Sequence, residues 1–192
     1  FSPQIHANDS LPESLAGKVE LMKADVRDRK VLKLALTGTD AVVHLAAETG
    51  TGQSMYETDG DFSVNVQCTG TLLDLLQNGD SGKSVRSLVV ASSRAVYGEG
   101  AYQCAAHGMV FPEQRGRERM SGGEFEPVCP ACGSRMSLLP TPESAPFMPM
   151  SMYGLTKQVQ EQAVLLFART HCINGFGLRY QNVYGPGQSL KN

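Results

Sequence analysis

The chain has 192 residues, 41% hydrophobic and 19% charged, with a net charge of -2. That length is enough for one domain with a sizeable core, and the balance is that of an ordinary globular protein. No basic run is present, and the longest apolar runs are strand-sized, far below the roughly 20 residues of a membrane span. Neither a nucleic acid polymer nor a membrane is therefore an expected partner. The opening Phe1-Ser2-Pro3-Gln4 carries no charged or apolar signal region. Five cysteines, three of them in one polar stretch, favour free thiols or a metal over a disulfide frame and point to a reducing cytoplasm.

Taken in chain order, residues 19–23 predict a short strand, followed by Ala24-Asp25-Val26-Arg27-Asp28. Residues 30–36 have helical spacing, with Val31, Leu34 and Ala35 on one face. Ala41-Val42-Val43-His44-Leu45-Ala46-Ala47 is a near-continuous apolar run, the pattern of a parallel strand buried on both faces. A Gly/Thr-rich loop at 49–53 leads into a helix expected over 62–77, and residues 87–92 give the next buried strand. The clearest helix spans 151–170, with Ser151 as N-cap and no internal proline. Residues 175–180 predict a further strand, closed by the turn Tyr184-Gly185-Pro186-Gly187.

Strands alternating with helices imply βαβ units, so the expected fold is α/β, a Rossmann-type doubly wound parallel sheet. Ligands bind such sheets at the carboxyl ends of the strands. Asp25, Ala46-Ala47 and Ser92-Ser93 all stand there. Residues 99–149, rich in Gly, Pro, Cys and Arg, break the alternation and read as an insert with its own small fold.

Tyr153-Gly154-Leu155-Thr156-Lys157 sets a phenol and an ammonium four apart on one helical face. A free tyrosine has a pKa near 10, too high for a good base at neutral pH, and a neighbouring lysine cation favours the phenolate. The pair then accepts a proton from an alcohol undergoing oxidation. Ser93, at a strand end, is the candidate hydroxyl that orients the alcohol. Tyr-x-x-x-Lys alone is common by chance. Here Val89-Val90-Ala91-Ser92-Ser93-Arg94-Ala95-Val96-Tyr97-Gly98 precedes it, and Leu178-Arg179-Tyr180-Gln181-Asn182-Val183-Tyr184-Gly185-Pro186-Gly187 follows.

This order of motifs resembles the extended short-chain dehydrogenase/reductases, within them the NAD-dependent epimerase/dehydratase family acting on nucleotide sugars. The resemblance implies a catalytic set of Ser93, Tyr153 and Lys157. It assigns Asp25 and Val26 to the adenine, Leu45, Ala46 and Ala47 to the cofactor path, and Asn65 to the helix behind the catalytic strand. Lys157 would also hold the nicotinamide ribose, Tyr180 would lie beside the nicotinamide, and Ser93, Arg94 and Asn182 would lie near the sugar nucleotide. Other readings stand beside these. Asp25 is equally a helix cap, His44 a packed strand residue, Asn65 a core residue tied to backbone, and Arg94, Glu48 and Gln53 solvated loop residues.

On this reading, residues 1–98 belong to a dinucleotide-binding domain and 150–192 add its catalytic helix and next strand. No Gly-x-x-Gly-x-x-Gly precedes Asp25, and Phe1-Ser2-Pro3 resembles the exit of the family's second strand. The chain is accordingly expected to be a fragment cut at both ends, binding cofactor poorly by itself. The 4,6-dehydratases of the family place an Asp-Glu pair after the catalytic threonine, whereas Arg94-Ala95 follows Ser93. The expected activity is therefore NAD-dependent 4-epimerisation of a nucleotide sugar, with reduction or dehydration as alternatives in the same family. A non-catalytic NAD-fold scaffold is the alternative of another class, and a homodimer is left open.

In the insert, Cys104-x-x-His107 and Cys129-x-x-Cys132 are two ligand pairs joined by a linker, the spacing of a structural Cys₃His zinc knuckle. The other reading is four unliganded residues in a loop. Such inserts are similar to those of a bacterial dTDP-L-rhamnose 4-epimerase-like subset.

Overall fold

The computed structural model describes residues 11 and 13–185, so Phe1-Ser2-Pro3 and Pro186-Gly187 lie outside the described residues. Helix α1, Arg29–Ala35, starts at Asp28, whose carboxylate accepts from the backbone N–H of Lys30 (2.8 Å) and of Val31 (3.3 Å). Asp28, not Asp25, is therefore the cap. The helix turns Leu32 and Leu36 to the core and leaves Leu34 66% exposed, so the buried face is rotated from the Val31-Leu34-Ala35 face expected from spacing.

Strand β1, Ala41–His44, is followed by α2 (Thr58–Asp61), a π-helical stretch over Phe62–Gln67 and α3 (Cys68–Asn78). Strand β2, Ser87–Ser93, comes next. The insert contributes β3 (Tyr102–Cys104), β4 (Gly108–Val110), α4 (Arg117–Ser121) and β5 (Ser137–Leu138), and the chain returns through α5 (Met152–Thr170) and β6 (Asn174–Tyr180). The first three-stranded sheet is parallel in the order β1-β2-β6, with Val43 opposite Val89 and Val89 opposite Phe176. The second is antiparallel in the order β4-β3-β5. Residues 19–23 form no strand: among the described residues no neighbouring strand supplies the hydrogen bonds a strand requires.

Leu88 and Val90 of β2 point into a core shared with Leu72 and Leu75 of α3 and Val164 of α5. The alternate residues face the other way, where Val43 is 60% and Phe176 53% exposed. The described residues thus cover one face of the sheet, and β1 is not buried on both faces as its apolar run predicts. The insert is joined to the main sheet by a second apolar cluster, in which Val96 and Tyr97 pack with Ala145, Phe111 and Phe147. Gly98 makes that join: its φ is +65°, and a Cβ there would strike the Met148 carbonyl.

Under β1 lies a buried polar cluster. His44 is 2.9 Å from the Thr69 hydroxyl and 3.3 Å from the Gln160 amide nitrogen, and Gln160 donates to the same hydroxyl. Burial, then the Lys157 charge, pushes the His44 pKa down to about 4. An unfolded histidine titrates near 6.5, so between these values the unfolded chain binds the proton and the folded one does not. Stability should therefore fall as pH drops below about 6.5, by about 2 kcal/mol from this residue at pH 5. Urea unfolding at pH 7.5 and pH 5 should show a smaller pH dependence in His44→Asn than in the wild type; equal dependence in both would refute the assignment.

Candidate active site

Ser93, Tyr153 and Lys157 come together at the carboxyl end of β2, the central strand. Ser93 ends the strand in extended conformation (φ −150°, ψ 151°), and its Oγ accepts from the Ala95 N–H at 3.2 Å. That bond uses a lone pair and leaves the hydroxyl proton free to be donated. Ser151 caps α5 by accepting from the Gly154 N–H at 3.0 Å, which fixes where the helix starts and hence where Tyr153 stands. Gly154 allows the approach: a Cβ there would lie 2.8 Å from the Ala95 carbonyl oxygen. The first turn of α5 is thereby seated against the turn that follows Ser93.

Lys157, one turn on, is 3% exposed. Its Nζ donates to the Ala91 carbonyl at 2.8 Å and lies 5.9 Å from the centre of the Tyr153 ring. Burial pushes its pKa down to about 8. The Tyr153 phenol is pushed up by burial, while a hydrogen bond with Ser93 pulls it down and the Asp61 charge adds to the rise. The sequence expectation is that the Lys157 cation lowers the Tyr153 pKa; here burial outweighs the lowering contacts and the pKa is raised. The ammonium is engaged by a backbone carbonyl, and Ser93 is the group that favours the phenolate.

Two braces hold these residues. The Asn65 side chain accepts from the Glu48 N–H (2.8 Å) and donates to the Glu48 carbonyl (3.2 Å) and to the Thr156 hydroxyl (2.9 Å). It ties the loop after Ala46-Ala47 to α5, from a π-helical segment of the kind often found at functional sites. Behind the strand, Ser92 donates to Glu161 at 2.5 Å, and Glu161 pairs with Arg179 at 2.8 Å. The Arg179 guanidinium lies between the rings of Tyr97 (4.8 Å) and Phe147 (4.6 Å). One buried ion pair thus binds β2, α5 and β6 together.

Ser93, Arg94 and Asn182 share a cavity of about 450 Å³. Tyr180 sits opposite Ser93 in the sheet, on the open face. Asp25 is exposed and Val26 half-buried. The Asp25 carboxylate binds the Arg27 backbone and guanidinium, which lower its pKa to about 2. Sequence reasoning missed three acid or base groups. Glu99 and Arg115 reach the same cavity as Ser93. Asp61 is buried, with its Oδ1 unpartnered among the described residues. An acid within the apolar spacing of a helix is the signal that would have found Asp61; Arg115, inside a charged loop, left none.

In the insert, Cys104 and His107 flank the β3–β4 turn, and Cys129 and Cys132 flank a tight knuckle closed by Gly133 N–H to Cys129 carbonyl at 2.8 Å. The four ligand atoms lie within 4.8 Å of one another. Cys104 Sγ is 3.8 Å from Cys132 Sγ, and His107 Nδ1 is 3.5 Å from the sulfurs of Cys104 and Cys129. All five cysteines are free of disulfides. Among the described residues no helix is long and apolar enough to cross a membrane.

A parallel α/β sheet with Ser, Tyr and Lys gathered at the end of its central strand is the arrangement of a Rossmann-type, short-chain dehydrogenase/reductase-like protein. Residues 3–112 and 131–192 match the NAD dependent epimerase/dehydratase family model. The chain belongs to that family. It is 41% identical over 193 residues to a dTDP-L-rhamnose 4-epimerase of Burkholderia thailandensis, covering 99% of this chain and 51% of the relative. It is 26% identical to a UDP-glucose 4-epimerase of Streptomyces lividans, over 88% of this chain and 40% of the relative. The chain thus spans about half the length, or less, of the curated relatives it matches.

Among solved structures, it is similar in fold to a UDP-N-acetylglucosamine 4-epimerase from Methanobrevibacter ruminantium, in complex with UDP-N-acetylmuramic acid. The TM-score is 0.63 and identity 24%, over 90% of this chain and 43% of that one. A dTDP-glucose 4,6-dehydratase double mutant from Streptomyces venezuelae, with NAD and DAU bound, gives a TM-score of 0.61 and 25% identity, over 91% and 42% of the two chains.

Proposed function

We propose that this chain is the catalytic part of an NAD-dependent nucleotide-sugar 4-epimerase, with residues 1–98 and 150–192 forming its dinucleotide-binding domain and 99–149 a zinc-knuckle insert. The observation that carries the reading is the convergence of Ser93, Tyr153 and Lys157 at the end of β2, supported by the 41% identity to a dTDP-L-rhamnose 4-epimerase. A dTDP-linked 6-deoxyhexose is the substrate class we assign.

The residues fit the nicotinamide end of the cofactor. Lys157, buried and with a pKa of about 8, would hydrogen-bond a ribose, and the small side chains of Ala46 and Ala47, which follow β1, would lie along the cofactor. Bound NAD supplies the acceptor, and later the donor, of the hydride from C4. Ser93 donates to the sugar 4-oxygen and orients it. Tyr153 would take the 4-hydroxyl proton during oxidation at C4 and give it back on reduction. Lys157 keeps positive charge beside the phenolate that this transfer leaves. Arg94 and Asn182 line the cavity that receives the sugar. Neither Arg94 nor Ala95 can act as the acid or base that removal of water across C5 and C6 requires, which favours epimerisation over dehydration.

In the insert, a tetrahedral ion with zinc–sulfur bonds of about 2.3 Å and a zinc–nitrogen bond of about 2.0–2.1 Å needs S···S near 3.8 Å and S···N near 3.6 Å. The Cys104–Cys132, Cys104–His107 and Cys129–His107 separations suit that geometry, and four protein ligands would leave no open position, so the site is structural. Free thiolates of this kind suit a reducing cytoplasm.

An epimerase returns the hydride to the carbon it left, so it needs no net reductant and loses no water. The full-length protein is expected to interconvert dTDP-L-rhamnose and its C4 epimer without added NADH. NMR of the sugar, with absorbance followed at the NADH band, separates the outcomes. A stable 4-keto-6-deoxy product from a dTDP-hexose would make it a dehydratase, and stoichiometric NADH consumption a reductase.

A further inference from the structure

The insert does more than interrupt the sheet, because one of its side chains enters the cavity at Ser93. The wall that holds Ser93, Arg94 and Asn182 is completed by Glu99 and Arg115. Arg115 falls in the 113–130 gap between the two stretches that the family model matches, so it belongs to what distinguishes this chain from its family at large. Its guanidinium is held at two points: Nε donates to Glu99 Oε1 at 2.7 Å, and one terminal nitrogen donates to the Phe125 carbonyl at 2.8 Å. Arginine is suited to such fixed, forked bonding. The second terminal nitrogen has no protein partner among the described residues, and the Arg115 side chain remains 38% exposed while that of Glu99 is 9% exposed.

The charge balance decides what this group can bind. Glu99 compensates the Arg115 cation at close range, so Arg115 is poorly suited to a phosphate dianion and well suited to donating a directed N–H to a neutral oxygen. A cavity of about 450 Å³ is at the small end of small-molecule sites. Whatever ring is held against Ser93 therefore comes within reach of Arg115.

We propose that Arg115 is a specificity-determining residue that hydrogen-bonds a hydroxyl of the substrate's sugar ring, positioned for this by Glu99 and the Phe125 carbonyl. The proposal rests on the nucleotide-sugar reading above and adds a contact to it. It also gives the insert a role in the site, since both Arg115 and the Phe125 carbonyl that holds it lie in the segment between β4 and the Cys129-Cys132 knuckle.

The test is binding of dTDP-L-rhamnose and of dTDP, measured by calorimetry on the full-length protein and its Arg115→Met and Arg115→Lys variants. Loss of a hydrogen bond from a charged donor should weaken binding of the sugar nucleotide about 10- to 100-fold. Affinity for dTDP, which lacks the sugar, should stay within about twofold, and kcat should change far less than KM. The lysine variant keeps the charge but not the fork, and should fall between wild type and Arg115→Met.

Unchanged affinity for both ligands in both variants overturns the proposal, as does an equal loss for dTDP, which would mean a phosphate contact or a disturbed fold. A wild type that binds dTDP-L-rhamnose no more tightly than dTDP has no sugar contact to lose, and also overturns it. An Arg115-dependent affinity in a protein that exchanges no hydride would sink the epimerase reading and leave this one standing.

Discussion

Tyr153→Phe in the full-length protein should lower kcat by about 10²–10⁴-fold, the usual contribution of a positioned acid–base group, with KM for the nucleotide sugar nearly unchanged. The substitution removes one oxygen from a ring that is otherwise held by its helix. Ser151 still caps α5, Gly154 still lies against Ala95, and Lys157 keeps its bond to the Ala91 carbonyl. What disappears is the phenol whose pKa Ser93 pulls down, and with it the acceptor for the 4-hydroxyl proton. Because that proton moves in the oxidation step and not on binding, the loss belongs in kcat. Initial rates with the sugar nucleotide, and calorimetric affinity for the same compound, separate the two. A variant turning over at close to the wild-type rate would remove Tyr153 from the mechanism. One that lost affinity and rate together would make it a binding residue.

The catalytic strand and helix were legible in the sequence because their local signals agree. Residues 87–93 are apolar up to a polar end, and Ser151 begins a proline-free run whose i, i+4 spacing sets Tyr153 and Lys157 on one face. The clustering of Cys104, His107, Cys129 and Cys132 in the insert was legible for a similar reason, since each pair lies within one turn of chain. What stayed hidden depends on partners that spacing does not encode. Residues 19–23 look like a strand, but a strand needs a neighbour. Val43 looks buried on pattern, but one face of β1 is uncovered. Lys157 looks like the group that lowers the Tyr153 pKa, yet burial, which no local pattern encodes, outweighs it and pushes the phenol up. Arg115 shows the limit most plainly. Its place beside Ser93 follows from the return path of the whole insert, and from a bond to Glu99 that no local pattern announces.

The second large effect concerns the insert. Full-length protein purified without chelator is expected to hold one zinc per chain, and Cys129→Ser to hold almost none. Cys104 and Cys129 are buried, whereas Cys132 and His107 face solvent. An ion held by these four residues would take two ligands from the buried side and two from the exposed side. Hydrogen bonds with Ser134 bring the Cys132 thiol down to about 6, so this ligand costs little to ionise near neutral pH. Structural zinc in small domains contributes apparent free energies of about 10–16 kcal/mol. Beyond the apolar cluster of Phe111, Ala145 and Phe147 at its base, the insert, among its described residues, has only the short strands β3, β4 and β5 and one partly exposed helix to hold it otherwise. Its loss of metal should therefore appear first as proteolysis between residues 105 and 136, while the main sheet, with its own core around Leu88 and Val90, stays folded. Elemental analysis gives the stoichiometry, and limited digestion before and after chelation gives the location. Cobalt in place of zinc should show the visible absorption of a tetrahedral thiolate site. Wild-type protein without stoichiometric metal would end the assignment. Cleavage spread evenly over the chain after chelation would show instead that the ion supports the whole fold and not the insert.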